Sequence, residues 1–204
     1  MPVTTIQVVH GFAVASAVFR PLLHELTSDS VRASLIRYPS VGLGLDEIVS
    51  SLAERLRADP PDAIVAHSLG GFATWLAVAV SEWRGPIVLL APPLTVIPCT
   101  RLIPSFLRWP FAPLLDHRRL TSDVRFSLPE LDGCAIKTIA GRFDFSVPLS
   151  CTRHPEVDDA TVLIHTHNSM LFASEVARFC LDWIDQHVSS SDSAGVLVAT
   201  NQSS

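Results

Sequence analysis

One stretch, residues 62–80 with the sequence DAIVAHSLGGFATWLAVAV, constrains the fold of this chain more than any other. It begins with an apolar run of strand length, Ala63–Ala66, and ends in a longer apolar segment of helical length. Between them lie Ser68 and the small residues Gly70 and Gly71, which permit a backbone turn too tight for larger side chains. The stretch therefore predicts a buried strand that turns sharply at Ser68 into a buried helix.

Residues Ala66–Gly70 match the nucleophile-elbow pattern G-x-S-x-G, with alanine in place of the first glycine. In that pattern a strained turn lifts the serine hydroxyl off the sheet and places the next backbone N–H at a helix N-terminus, which favours negative charge. An ordinary strand-turn-helix is one alternative. A membrane-spanning helix is another, because residues 63–81 carry no Asp, Glu, Lys or Arg. The polar His67 and Ser68 and the preceding Pro60-Pro61 count against a span.

Length and charge narrow the class of protein. A chain of 204 residues with 48% hydrophobic content fits one domain with a sizeable core. The net charge of −5 argues against a nucleic-acid-binding surface, and the adjacent Arg118-Arg119 are interpreted as a solvated face. No Lys or Arg precedes Arg20, so the positive start of a signal peptide is missing, and we predict a cytoplasmic protein.

The cysteines give no sign of a metal site. They are scattered, without a C-x-x-C pair and without a histidine spacing suited to zinc. We predict reduced, mostly buried thiols, and a disulfide stays open only if the protein is exported. The four are Cys99, Cys134, Cys151 and Cys180.

Apolar periodicity and Gly/Pro punctuation predict alternating strands and helices. The predicted strands are Thr4–Val9, Val31–Tyr38, Ala63–Ala66, Pro86–Leu90, Ala135–Ala140 and Ala160–Thr166. The predicted helices are Ala15–Leu26 (or a start near Pro21), Asp46–Arg57, the segment after Ser68, and Ser169–His187. This order predicts an α/β fold with a doubly wound, mainly parallel sheet of about six strands. Residues 1–187 form one domain, and the serine-rich residues 188–204 are predicted to be a disordered tail.

An apolar, proline-rich insertion at about 94–134 interrupts the alternation. It leaves the strand next to the elbow strand, so we expect it over the site as a lid or an acyl-binding wall. Phe106 and Trp109 are its candidate substrate contacts. The alternative is that the insertion packs as ordinary core.

Three polar residues follow predicted strands at their carboxyl ends, where ligands bind in parallel sheets. Ser68 follows the third strand, Asp144 the fifth and His167 the sixth. This is the chain order of a Ser-Asp-His triad. The rival acids Asp158 and Asp159 precede the sixth strand, at the wrong end of the sheet, and the rival base His165 is predicted to lie within that strand.

Over about residues 4–187 the chain resembles the α/β-hydrolase superfamily, in particular its small esterase and lipase types. Four places carry the resemblance: His10-Gly11-Phe12 as the oxyanion turn, Ala66–Gly70 as the elbow, Asp144 with Val147-Pro148 as the acid loop, and His167 with Leu171-Phe172 as the histidine loop. The chain departs from the pattern at Ala66 and in having no glycine directly before His167.

The resemblance implies a role for each residue. Ser68 is the expected nucleophile, His167 its general base, and Asp144 the group that orients the imidazole. The backbone N–H groups of Phe12 and Leu69 are the expected oxyanion hole. Around the substrate we expect His10, Gly11 and His67, with His10 holding the oxyanion turn through its ring and His67 lining the pocket or packing beneath it. The remaining histidines are predicted to lie on the surface: His24, His117, His154 and His187.

These observations indicate a serine hydrolase for carboxylic esters with an apolar part, acting through an acyl-enzyme on a small-molecule ester without metal or cofactor. Thioester hydrolysis and acyl transfer use the same machinery, and a non-catalytic binding module is a further alternative. A dinucleotide-binding domain is disfavoured, because the first turn has only Gly11 where G-x-G-x-x-G is needed. The sequence indicates no nucleic-acid partner and no transmembrane segment, and the oligomeric state is left open.

Overall fold

The computed structural model describes residues 3–107, 109–155, 157 and 159–200. The strands are β1 (Thr4–Val9), β2 (Val31–Ile36), β3 (Ala63–His67), β4 (Pro86–Leu90), β5 (Ala135–Gly141) and β6 (Asp159–Leu163). They form one sheet in the order β2-β1-β3-β4-β5-β6, in which every pairing is parallel. The helices are α1 (Arg20–Leu26), α2 (Leu45–Ala58), α3 (Leu69–Ser81), α4 (Ala112–Thr121) and α5 (Ser174–Thr200).

Helices cover both faces of the sheet. Every residue of β3 and β4 is buried, and all of them except His67 are apolar, since a parallel strand between two helical layers has no solvent face. One core lies between the sheet and the pair α2 and α3, and the other lies between the sheet and the pair α1 and α5. The predicted α/β fold with a doubly wound parallel sheet is confirmed.

The sixth strand ends earlier than predicted. It stops at Leu163 rather than Thr166, because the N–H of His165 bonds back to the carbonyl of Leu163 at 2.9 Å and turns the chain out of the sheet. The prediction that His165 lies within the strand is therefore wrong. β2 likewise ends at Ile36, ahead of Pro39, which keeps the chain from continuing in the ladder.

A 3-10 turn precedes the first helix and another precedes the last helix, Ser16–Phe19 before α1 and Ser169–Phe172 before α5. Because Pro21 occupies the first turn of α1, the predicted alternative start near this proline is the one observed. Helix α5 continues to Thr200, which differs from the disordered tail predicted for 188–204. Once formed, a helix gains one hydrogen bond with each added residue, so a serine-rich segment can extend it. Residues 201–204 lie outside the described residues.

The insertion packs against the core at both of its ends, as one of the two alternatives for it expected. Its ends pack as core, since Leu94, Leu128 and Leu131 join the cluster around α2 and α3. Its middle contains two 3-10 turns, Pro98–Leu102 and Ser105–Leu107, followed by α4. No helix in the described part of the chain has the length and apolar composition needed to cross a membrane.

Candidate active site

The turn between β3 and α3 is strained at Ser68, whose φ is 56° and ψ −133°. Non-glycine residues rarely adopt such angles, and they persist where the surroundings enforce them. Two glycines let the turn after β1 approach this point. A Cβ on Gly70 would collide with the carbonyl oxygen of His10, and a Cβ on Gly11 would lie 2.8 Å from the Cβ of Ser68. Side chains at either glycine would therefore push the turn away from the serine.

Three side chains meet at this turn through a chain of hydrogen bonds. Nε2 of His167 lies 2.9 Å from Oγ of Ser68, and Nδ1 of His167 lies 2.6 Å from Oδ2 of Asp144. The side chain of Asp144 is fully shielded from solvent. Because a carboxylate only accepts, Nδ1 carries a proton and Nε2 is left to accept the serine hydroxyl.

The carboxylate of Asp144 is fixed by its own loop. Its Oδ1 accepts the backbone N–H groups of Ser146 at 2.9 Å and Val147 at 2.8 Å. These donors stabilise the charged form of a buried carboxylate. They also leave Oδ2 as the oxygen that faces His167.

The rival residues lie elsewhere. Asp159 opens β6 beside Lys137, at the end of the sheet opposite Ser68, and Asp158 lies outside the described residues. His165 bonds through Nε2 to Oε1 of Glu175 at 2.6 Å, and its Nδ1 is 3.3 Å from Oγ of Ser169. His165 thus ties the loop after β6 to α5 rather than bonding to Ser68.

The expected oxyanion donors, the backbone N–H groups of Leu69 and Phe12, lie in the two turns that meet at Ser68. Leu69 is the first residue of α3, where N–H groups have no partner within the helix and the helix dipole favours negative charge. Phe12 lies in the turn after β1. No hydrogen bond among the described residues uses the N–H of either residue. The next residue, Ala13, has a φ of 53° and donates its N–H to Oγ of Ser40, which fixes the turn.

The predicted substrate contacts divide into two groups. His10 is buried, its ring stacks on Tyr38 with centroids 4.2 Å apart, and its Nδ1 is 2.9 Å from the carbonyl of Gly11. His10 therefore packs beneath the turn that carries Gly11 and Phe12. Phe106 and Trp109 are instead 83% and 74% exposed on the insertion.

Phe111 is a candidate that the sequence analysis did not single out. Its ring lies 5.5 Å from that of Phe12, so it brings the insertion to the oxyanion turn. It stands in an apolar, aromatic segment without helical or strand periodicity, and no local pattern distinguishes it from Phe106 or Trp109. Trp109 instead covers Gly42, where a Cβ would lie 3.1 Å from its ring.

Two histidines are buried and uncharged. His67 packs beneath the site, and burial together with the nearby His167 lowers its pKa to about 3. His117 was predicted to be a surface group, which is wrong. Its Nε2 lies 2.7 Å from the carbonyl of Pro93 and its ring contacts Phe72, because α4 turns this side towards α3, and burial lowers its pKa to about 4.

The other histidines and the cysteines carry no further chemistry in this structure. His24 is exposed as predicted, whereas His154 and His187 are half-buried against Trp75 and Trp183. All four cysteines, each within the described residues, are free thiols. Among the described residues, no three His, Cys, Asp or Glu side chains group as a metal site would require.

Comparison with known proteins agrees with this architecture. The ydeN gene product of B. subtilis has a TM-score of 0.71 and 19% identity, covering 90% of this chain and 99% of that one. The RedJ thioesterase of Streptomyces coelicolor has a TM-score of 0.65 and 14% identity, covering 87% and 85%. The pyrethroid hydrolase PytH has a TM-score of 0.61 and 17% identity, covering 90% and 98%. At these identities the likeness shows the fold.

A search of curated proteins returns no match. The family model described as the alpha/beta hydrolase family matches residues 8–195, which is most of the chain. This match confirms the resemblance noted from the sequence. The chain belongs to the α/β-hydrolase family.

Proposed function

We propose that this protein is a serine hydrolase that cleaves carboxylic esters with an apolar acyl or alcohol part through an acyl-enzyme. Membership of the α/β-hydrolase family supports a hydrolase activity. The observation that carries the proposal is the hydrogen-bond chain from Ser68 through His167 to the buried Asp144, at 2.9 and 2.6 Å. A serine hydroxyl is a poor nucleophile by itself, and a base at this distance is what activates it.

The reaction follows from these contacts. His167 takes the hydroxyl proton as Ser68 attacks the ester carbonyl, and Asp144 stabilises the imidazolium that forms. The N–H groups of Leu69 and Phe12 stabilise the oxyanion, where removing one donor typically costs about 3 kcal/mol. His167 then protonates the departing alcohol, and water attacks the acyl-enzyme by the same steps in reverse order.

The preference for an apolar substrate rests on the surroundings of the oxyanion turn. Phe12 and Phe111 form an aromatic pair there, and the insertion that supplies Phe111 is apolar. Apolar walls with a few convergent polar groups are typical of small-molecule sites.

Thioester hydrolysis or acyl transfer is the second candidate. Both use the same nucleophile, base and oxyanion donors. One structurally similar protein is described as a thioesterase, from a pathway of prodiginine biosynthesis. An acyl thioester assayed beside the oxygen ester of the same acyl group separates these candidates.

The test is hydrolysis of p-nitrophenyl esters of increasing acyl length by wild type, Ser68→Ala and Ser169→Ala. Ser169 is a matched control, because its hydroxyl also lies beside a histidine, His165. We expect Ser68→Ala to lose roughly a thousandfold or more in kcat and Ser169→Ala to keep most of its activity. A fluorophosphonate probe should label wild type and not Ser68→Ala. If the folded wild type neither turns over esters nor reacts with the probe, the proposal is wrong and a binding module takes its place.

A further inference from the structure

His67 is a buried polar side chain for which packing offers no reason. It is fully shielded from solvent, and its Nδ1 has no hydrogen-bond partner among the described residues. An unpaired buried polar atom is unfavourable, and an apolar side chain could fill this space beside Phe19 without it. The other ring nitrogen, Nε2, lies 3.0 Å from the backbone carbonyl of His167.

The direction of this hydrogen bond is fixed. A carbonyl oxygen only accepts, so Nε2 of His67 carries the proton and the bare Nδ1 is the nitrogen left without a partner. Burial lowers the pKa of His67 to about 3, so the ring stays neutral at working pH and keeps this single tautomer. The donor is therefore permanently aimed at His167.

The two ends of this bond differ in rigidity. His67 is the last residue of β3, a central strand that is buried throughout. His167 lies in the loop after the edge strand β6, where Ile164 is 75% exposed and the neighbours Thr166 and Asn168 are exposed. The residues on either side of His167 are held by other bonds, since the carbonyl of His165 accepts the N–H of Phe143 at 3.0 Å and Oγ of Ser169 accepts the N–H of Thr166 at 2.9 Å. The bond from His67 acts on the backbone of His167 itself and joins it to the central strand.

We propose that His67 is a positioning residue, which ties the backbone of His167 to the core and thereby holds its imidazole between Ser68 and Asp144. This inference deepens the proposed function, because it assumes that His167 acts on Ser68. Displacing a reacting group by 1 Å can reduce a rate by about 100-fold, so one hydrogen bond at this point has a large effect.

Neutrality of the His67 ring has a second consequence. Its centroid lies 4.7 Å from that of His167, which becomes positively charged when it takes the serine proton. A charged neighbour at this distance would oppose that proton transfer. A neutral donor holds the loop without repelling the imidazolium.

The experiment compares His67→Leu and His67→Gln with His117→Leu and His117→Gln. His117 is the matched control, because it is equally buried, donates to a backbone carbonyl at 2.7 Å and has an unpaired Nδ1, but does not contact Ser68, Asp144 or His167. We expect His67→Leu to lower kcat by about 100-fold with little change in KM, and His67→Gln, whose amide reaches the same carbonyl, to regain most of it. Both His117 variants should keep kcat within about twofold.

A spectroscopic readout makes the test independent of the substrate. The proton between Nδ1 of His167 and Asp144 should give a far-downfield proton NMR resonance in wild type, which broadens or vanishes in His67→Leu and persists in His67→Gln and both His117 variants.

If wild type hydrolyses no ester, the proposed function fails while this comparison still tests the positioning role. Should His67→Leu not fold, His67→Asn replaces it, because its shorter amide cannot reach the carbonyl. An unchanged resonance and kcat in the folded non-donor variant overturn the inference, as does an equal loss in His117→Leu.

Discussion

At the scale of single residues, the site is built on backbone angles that its side chains disfavour. Ser68 holds a φ of 56° because the core fixes β3 before it and α3 after it. A non-glycine residue at such angles typically stores about 1–3 kcal/mol. The sequence predicted this turn from the small residues Gly70 and Gly71, and the structure shows that Gly11 also permits the close backbone approach.

The strain at Ser68 has a measurable consequence for stability. In urea unfolding, Ser68→Gly should have a free energy of unfolding about 1 kcal/mol higher than that of Ser68→Ala. Glycine adopts these backbone angles without a Cβ penalty, and this relief of strain exceeds the cost of its larger unfolded-state entropy. Both variants should be inactive, so the comparison separates strain from function. A Ser68→Gly protein less stable than Ser68→Ala would show that the turn is relaxed.

Asp144→Asn should reduce kcat by about 10⁴-fold, which is the loss known for the equivalent change in a serine protease. The backbone N–H groups of Ser146 and Val147 occupy Oδ1, so the asparagine must place its oxygen there and its NH₂ towards His167. Nδ1 of His167 then has to accept, and its proton moves to Nε2, where it can no longer receive one from Ser68.

Steady-state kinetics of Asp144→Asn beside Asp144→Glu check this reasoning. The glutamate variant keeps the charge but misplaces it, so it should retain more activity than the asparagine variant. Near-wild-type activity of Asp144→Asn would mean that another acid orients His167.

At the scale of elements, the sequence predicted the strand bounds that depend on nearby residues. It did not predict features that depend on contacts between residues far apart in the chain. β1 and β4 have the predicted bounds, because each is rich in β-branched or apolar residues and is followed closely by a glycine or a proline, Gly11 and Pro92. β6 was predicted too long, since the β-branched residues Ile164 and Thr166 lie on either side of the turn at His165 and favour a longer strand. The burial of His117 depends on α4 docking against α3, which nothing near His117 in the sequence indicates.

The attachment of α4 to α2 is one such distant contact. Oδ2 of Asp116 accepts the N–H of Leu45, the first residue of α2, at 3.1 Å. Asp116→Ala should therefore destabilise the protein by about 1 kcal/mol, as the loss of a helix cap does, and should speed proteolysis near the exposed Leu102 and Phe106. Asp116→Asn is the control, since its amide oxygen can still accept. Equal stability of the two variants in urea would argue against the cap.

At the scale of the whole molecule, stability should depend on the two neutral buried histidines. Burial, and for His67 also the nearby His167, lowers their pKa values from 6.5 to about 3 and about 4, while the charge of Asp144 opposes the shift at His67. Between pH 6.5 and 4 the unfolded chain takes up protons at both positions and the folded protein does not. Unfolding is therefore favoured as pH falls, and this contribution to stability is complete above pH 6.5.

Urea unfolding as a function of pH measures the effect. Over this range the two histidines together should steepen the slope by up to about 2.7 kcal/mol per pH unit, and the double variant His67→Gln/His117→Gln should lose that part of the slope. Each single variant should lose about half. A double variant with the slope of wild type would show that the two rings are protonated in the folded protein.

Ser68 and His167 lie at different places in the sheet, so the proposed activity should be lost at a lower temperature than the fold. Ser68 follows a central strand, whereas His167 follows β6 at the sheet margin, where pairing exists on one side only. Fraying of that margin removes the base from the nucleophile while both cores persist. On warming, activity should be lost at a lower temperature than the circular dichroism signal of the helices. It should return on cooling, because the frayed strand can pair again with the rest of the sheet, which is still folded.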